Sequence, residues 1–69
     1  MSDLALKAIS HVLRVIGDDP DVYAHLGPYT ESFDLLTMAH DELTGREPGT
    51  ARREIKEHVN ALKALEARP

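Results

Sequence analysis

Residues 29–65 read YTESFDLLTMAHDELTGREPGTARREIKEHVNALKAL, two helix-period segments on either side of a glycine–proline turn. In the first, Tyr29, Phe33, Leu36, His40 and Leu43 recur at intervals of four, three, four and three, one stripe along an α-helix. In the second, Ala51, Ile55, His58 or Val59, Leu62 and Leu65 repeat the pattern. The connection Gly45-Arg46-Glu47-Pro48-Gly49 is short enough to make the two helices antiparallel neighbours. Folded about it, the stripes match in layers: Leu43 with Ile55, His40 with His58 or Val59, Leu36 with Leu62, and Phe33 with Leu65. Such layers suit two helix axes about 8–10 Å apart. The opposite face of the first segment carries Asp34 and Asp41, and Thr30, Thr37 and Thr44, at heptad spacing. Those five are expected in water.

Upstream, the run from Asp3 to Ile16 is helical in period, with Ser2 or Asp3 able to cap it and Gly17 placed as a left-handed stop. Asp18-Asp19-Pro20-Asp21 then reads as a helix start. Asp19 is the cap, Pro20 takes the first helical position, and Asp21 favours the helix dipole. Gly27-Pro28 ends that short helix. No stretch alternates with the period of a strand. The expectation is an all-α bundle of three main helices plus one short one, over residues 3–16, 20–26, 29–44 and 50–67. They form a single domain, 1–69, with an antiparallel C-terminal hairpin.

The first helix is apolar round more of itself than one small core can cover. At about 100° per residue, its Leu, Ile, Val and Ala side chains span roughly 200°, where a helix at the edge of a small monomer needs about 100–140°. Only Lys7, Ser10, His11 and Arg14 define a wet face. A domain of this size buries only about 60% of the surface its unfolded chain exposes. Disulfides are excluded because the 69 residues include no cysteine. Oligomerisation is the leading remedy, an unusually well-packed monomer being the alternative, so a two-fold homodimer is expected on the spare side of helix one, at Leu4, Ala8, Val12 and Val15. Met38 stands beside Glu31 and Glu42 on a polar face, and soft exposed methionines adapt to partners. Met38 and the acidic Asp18, Asp19 and Asp21 are therefore the other candidate contacts for a protein partner.

Charge and motif exclude several classes. The net charge is −4, and the stretch from Asp19 to Leu43 has no lysine or arginine, which disfavours phosphate backbones. The basic residues Arg46, Arg52, Arg53 and Lys56 are interrupted by Glu47, Glu54 and Glu57. Pairs such as Arg53 with Glu57 are expected there. No membrane span and no signal peptide is legible, so a cytoplasmic protein is expected. Usage rich in Arg, Ala, Asp and Gly and poor in Asn and Ile suits a GC-rich bacterial or phage genome. There is no nucleophile elbow, no phosphate-binding glycine loop and no EF-hand. Neither is there an Asp-Ser-Leu triplet to carry a phosphopantetheine arm. The chain is expected to be no enzyme and to hold no cofactor.

His40, His58 and Glu54 are the only trio that invites zinc, but they lack the one-helix spacing of a metal site, and no metal is expected. Joint burial of His40 and His58 would make protonation near pH 6 loosen the hairpin. The function expected is a non-enzymatic, protein-binding regulator or inhibitor. It would dock, as a homodimer, on a larger protein such as a transcription factor or an enzyme or motor subunit. The alternatives are a DNA-binding or DNA-mimicking transcriptional regulator and, after that, a histidine-based metal-binding protein.

Overall fold

Glycine and proline divide this chain into its elements. In the computed structural model, which describes residues 2–67, these are α1 (Ser2–Gly17), α2 (Pro20–Ala24), a 3-10 turn (Gly27–Tyr29), α3 (Thr30–Leu43) and α4 (Thr50–Glu66). The fold is all-α, and no strand occurs among the described residues. Asp3 lies in the first turn of α1, where its charge favours the dipole. The side chain of Ser2, the other candidate cap, lies outside the described residues. Asp19 caps α2 as its sequence implies: Oδ1 accepts from the N–H of Asp21 at 3.0 Å and of Val22 at 3.3 Å. That helix ends at Ala24, two residues before the expected Leu26, and the 3-10 turn takes up the chain from Gly27.

Two of the expected end signals act differently. Gly17 is not a left-handed stop. Among the described residues positive φ occurs at Gly27, Gly45 and Gly49 (52°, 70° and 96°), and Gly17 is the last helical residue of α1. It is buried, and a Cβ there would stand 3.4 Å from Ile55 Cγ2, so its use is close approach of α1 to α4. Thr50 is the first residue of α4 rather than its cap, and its hydroxyl donates to the Glu47 carbonyl at 2.7 Å.

The capping acceptor for α4 comes from α3. Asp41 is fully buried. Its Oδ2 accepts from the N–H of Gly49 and its Oδ1 from the N–H of Ala51, both at 2.9 Å. The first N–H groups of a helix have no partners within it. A carboxylate held over them from another helix supplies both hydrogen bonds and a favourable charge against the dipole.

This changes which face of α3 is inside. Phe33, Thr37 and Asp41, one i, i+4, i+8 row, are the buried residues, whereas Tyr29 and Leu43 of the expected stripe are exposed. Thr37 satisfies its hydroxyl by donating to the Asp34 carbonyl at 2.7 Å. The expected wet face at Thr37 and Asp41 is thus the core face. Nor do the expected layers run to the ends of the helices. Leu65, expected in a layer with Phe33, is 61% exposed. Polar contacts from α3 to α4 and its cap land on Gly49, Ala51 and Arg52, all at the start of α4.

The buried apolar side chains are Leu13 of α1, Phe33 of α3, and Ala51 and Val59 of α4. The short α2 adds Tyr23, which meets Phe33 edge to face with ring centroids 5.8 Å apart, a favourable arrangement of aromatic quadrupoles. This is a small core, and the surface outside it is large. The chain exposes 5181 Å² for its 7.7 kDa, where a folded monomer of that mass exposes about 4,300 Å². Its radius of gyration is 12.6 Å, against about 11 Å for a compact chain of this length.

Candidate functional site

Large exposed apolar side chains stand on both α1 (Leu4, Val12 and Val15) and α3 (Leu35, Met38 and Leu43), and those of α1 make one strip. Leu13 and Gly17 point inward, with Leu6, Ile9 and Ile16 half-buried beside them. On the other side Leu4 is 74% exposed and Val15 53%, while Val12 is 39% exposed and Ala5 and Ala8 lie in water. On the helical wheel these five side chains fall within about 100° of one another. Lys7, His11 and Arg14 stand to one side of the strip. On the other side the strip meets Ile16 and turns into a groove.

That groove, about 300 Å³, is walled by Val12 and Ile16 of α1, Val22 of α2, Leu26 and Tyr29 of the following turn, and Phe33 and Leu36 of α3. Ser32 and the Tyr29 hydroxyl are the polar groups of the residues that line it. The strip and the groove form one continuous apolar surface with Val12 belonging to both. Sequence reading found the strip but missed the groove. Its outer wall comes from Val22, Leu26 and Tyr29, which lie in elements too short to show a period. The available signal was three apolar residues placed four and three apart across the Gly27-Pro28 break.

The other candidate contacts lie elsewhere. Met38 is half-exposed, but two residues on from Leu36 it faces about 160° away round α3, so it is not part of the groove. Asp18, Asp19 and Asp21 are all exposed. Asp19 is occupied as the cap of α2, and Asp18 Oδ1 meets His58 Nε2 at 3.0 Å.

His58 therefore does not share burial with His40: it is exposed beside Asp18, and the premise of a jointly buried histidine pair fails. His40 and His58 do line one cleft, of about 240 Å³, together with Glu54, Arg14 and Leu13. His40 Nδ1 is buried there without a hydrogen-bond partner, while Glu54 is turned to Arg46. Among the described residues no three His, Asp or Glu side chains are grouped to hold a metal ion. His11 is exposed, and His25 Nδ1 lies 2.8 Å from the Asp21 carbonyl.

The arginines of the basic cluster are each matched by a carboxylate. Arg46 pairs with Glu54, Arg52 with Asp34 at 3.5 Å, and Arg53 with Glu57 at 3.8 Å, the last as its spacing implies. The hydrogen bond from Arg46 holds the Glu54 carboxyl below its ordinary range, against a smaller opposing effect of desolvation. A carboxyl depressed on folding stabilises the fold above its unfolded pKa, and that stability is lost as pH falls through the folded one. Glu54→Gln should therefore lower the melting temperature slightly at neutral pH. The difference from the parent should start to shrink near the usual glutamate pKa of about 4.3 and vanish only below the lower value that the carboxyl has in the folded protein. Thermal melts from pH 7 to pH 3 test this, and a gap that persists in acid would contradict it.

Compared with known protein families, curated proteins and solved structures, the chain matches no family model, no curated protein and no solved structure. No helix is long and apolar enough to cross a membrane among the described residues.

Proposed function

We propose that this chain is a non-enzymatic, cytoplasmic protein-binding regulator that self-associates through α1 and docks on a larger protein partner, such as a transcription factor or an enzyme or motor subunit. The observation that carries this reading is the uncharged strip Leu4, Ala5, Ala8, Val12 and Val15, exposed on α1 and continuous with an apolar groove. Contiguous apolar surface of this kind on a small protein marks an interaction site. The paired arginines and the net charge of −4 leave little positive field for nucleic acid.

Light scattering behind a sizing column, over a range of concentrations, tests the first half of this reading. The expected mass is twice the 7.7 kDa of one chain. The double variant Leu4→Asp with Ala8→Glu should run as a monomer with unchanged helical circular dichroism, because both side chains lie outside the core. A parent protein that stays monomeric at every concentration would overturn the homodimer. A double variant that still dimerises would show that the strip is not the contact.

A further inference from the structure

The cleft of about 240 Å³ between α1, α3 and α4 opens about 180° round α1 from the apolar strip. Its buried lining is apolar, from Leu13 and Gly17 of α1 and Ala51 of α4, with Ile55 half-buried beside them. Its exposed lining is polar, and there the acceptors are spoken for. Asp18 Oδ1 accepts from His58 Nε2 at 3.0 Å, and the Glu54 carboxylate accepts from Arg46. What is left over is a set of donors. The Arg14 guanidinium takes part in none of the ion pairs among the described residues, and Ser10 adds a hydroxyl.

His40 adds a third donor. Its Nδ1 is buried without a partner. A buried N–H without an acceptor is rarer, and worse, than a bare acceptor. The proton of the neutral ring therefore belongs on Nε2, the nitrogen that is not enclosed. We propose that this cleft binds a small carboxylic acid, its carboxylate on Arg14 and His40 Nε2–H and its apolar body on Leu13 and Ile55.

Two properties of the cleft select this ligand. A cation would have to displace His58 from Asp18 or Arg46 from Glu54, whereas a carboxylate meets the donors that are free. A guanidinium grips a carboxylate through two parallel hydrogen bonds. Size selects the apolar body. A cavity of about 150 Å³ holds benzene, and pockets for drug-sized molecules begin near 300 Å³. The intermediate volume here suits one ring with one small charged group. Inorganic phosphate would leave the apolar lining uncovered.

NMR titration of the labelled parent with benzoate tests this. The amides of Ser10, Gly17, His40 and Ile55 should shift saturably, with a Kd of about 1 mM or below. Benzyl alcohol, which keeps the ring and loses the charge, should bind at least tenfold more weakly. Arg14 is exposed, so Arg14→Gln should keep its helical circular dichroism and lose benzoate affinity by a similar factor. The double variant Leu4→Asp with Ala8→Glu, on the far side of α1, should bind benzoate as the parent does. The ligand site and the homodimer therefore stand or fall separately.

No saturable shift up to about 10 mM benzoate, ten times the expected Kd, would overturn the site. Equal binding of benzyl alcohol would show an apolar cleft whose donors are not used. Tighter binding of benzylamine would mean that Asp18 and Glu54 set its charge preference, contrary to the proposal. These comparisons use the parent protein and remain decisive if Arg14→Gln fails to fold.

Discussion

Asp41→Ala should destabilise the protein by about 3–5 kcal/mol, because hydrogen bonds to charged groups contribute about 1.5–3 kcal/mol each and this side chain makes two. Its carboxylate is fully buried and accepts from Gly49 and Ala51. Truncation leaves the Ala51 N–H buried without a partner at the point where the dipole of α4 is positive. A chain of this length has a total stability of about 3–10 kcal/mol, so the variant should be largely unfolded at physiological temperature or close to it. Asp41→Asn is the informative companion. It keeps one acceptor oxygen but turns an NH2 group toward the other N–H donor, and should lose roughly half as much. Urea unfolding followed by circular dichroism gives both values. If alanine were tolerated within about 1 kcal/mol, the range of an ordinary surface change, the capping role would be wrong.

The same residue shows where sequence reading stops. Helical period alone located α3 and α4, and glycine and proline marked the break after Leu26 and the turn at Gly45–Gly49. The inward face of α3 was misjudged because a hydrophobic stripe counts apolar side chains, and this helix offers two rows that share Phe33. One runs through Tyr29, Leu36 and Leu43. The other runs through Thr37 and Asp41 and is polar at two of its three positions. What selects the second row is the demand of the α4 N-terminus for an acceptor, a tertiary requirement with no local signature. Gly17 misled for a similar reason: a glycine at a helix end has two uses, a left-handed turn or close packing, and only the position of Ile55 decides between them. The apolar strip on α1 was legible because its excess is a property of one helix. The groove was not, since its walls come from α1, α2, the 3-10 turn and α3.

Phe33→Ala should destabilise the protein by about as much as the loss of Asp41, roughly 3–5 kcal/mol for a buried phenylalanine, through packing rather than hydrogen bonding. Phe33 is one of four buried apolar side chains among the described residues, and its edge-to-face contact with Tyr23 adds about 0.5–1.5 kcal/mol of the kind measured for aromatic pairs. Tyr23→Leu separates the two contributions, since it retains apolar area and removes the ring; it should lose only the smaller part. Phe33 also lines the floor of the groove, which ties this core position to the interface. If two copies close over the groove, folding and association are linked, and stability rises with protein concentration. The parent's melting temperature should then climb across a dilution series. Phe33→Ala should be folded, if at all, only at its concentrated end. A loss of stability that is the same at every concentration would place Phe33 in the core of a monomer alone and detach the groove from self-association.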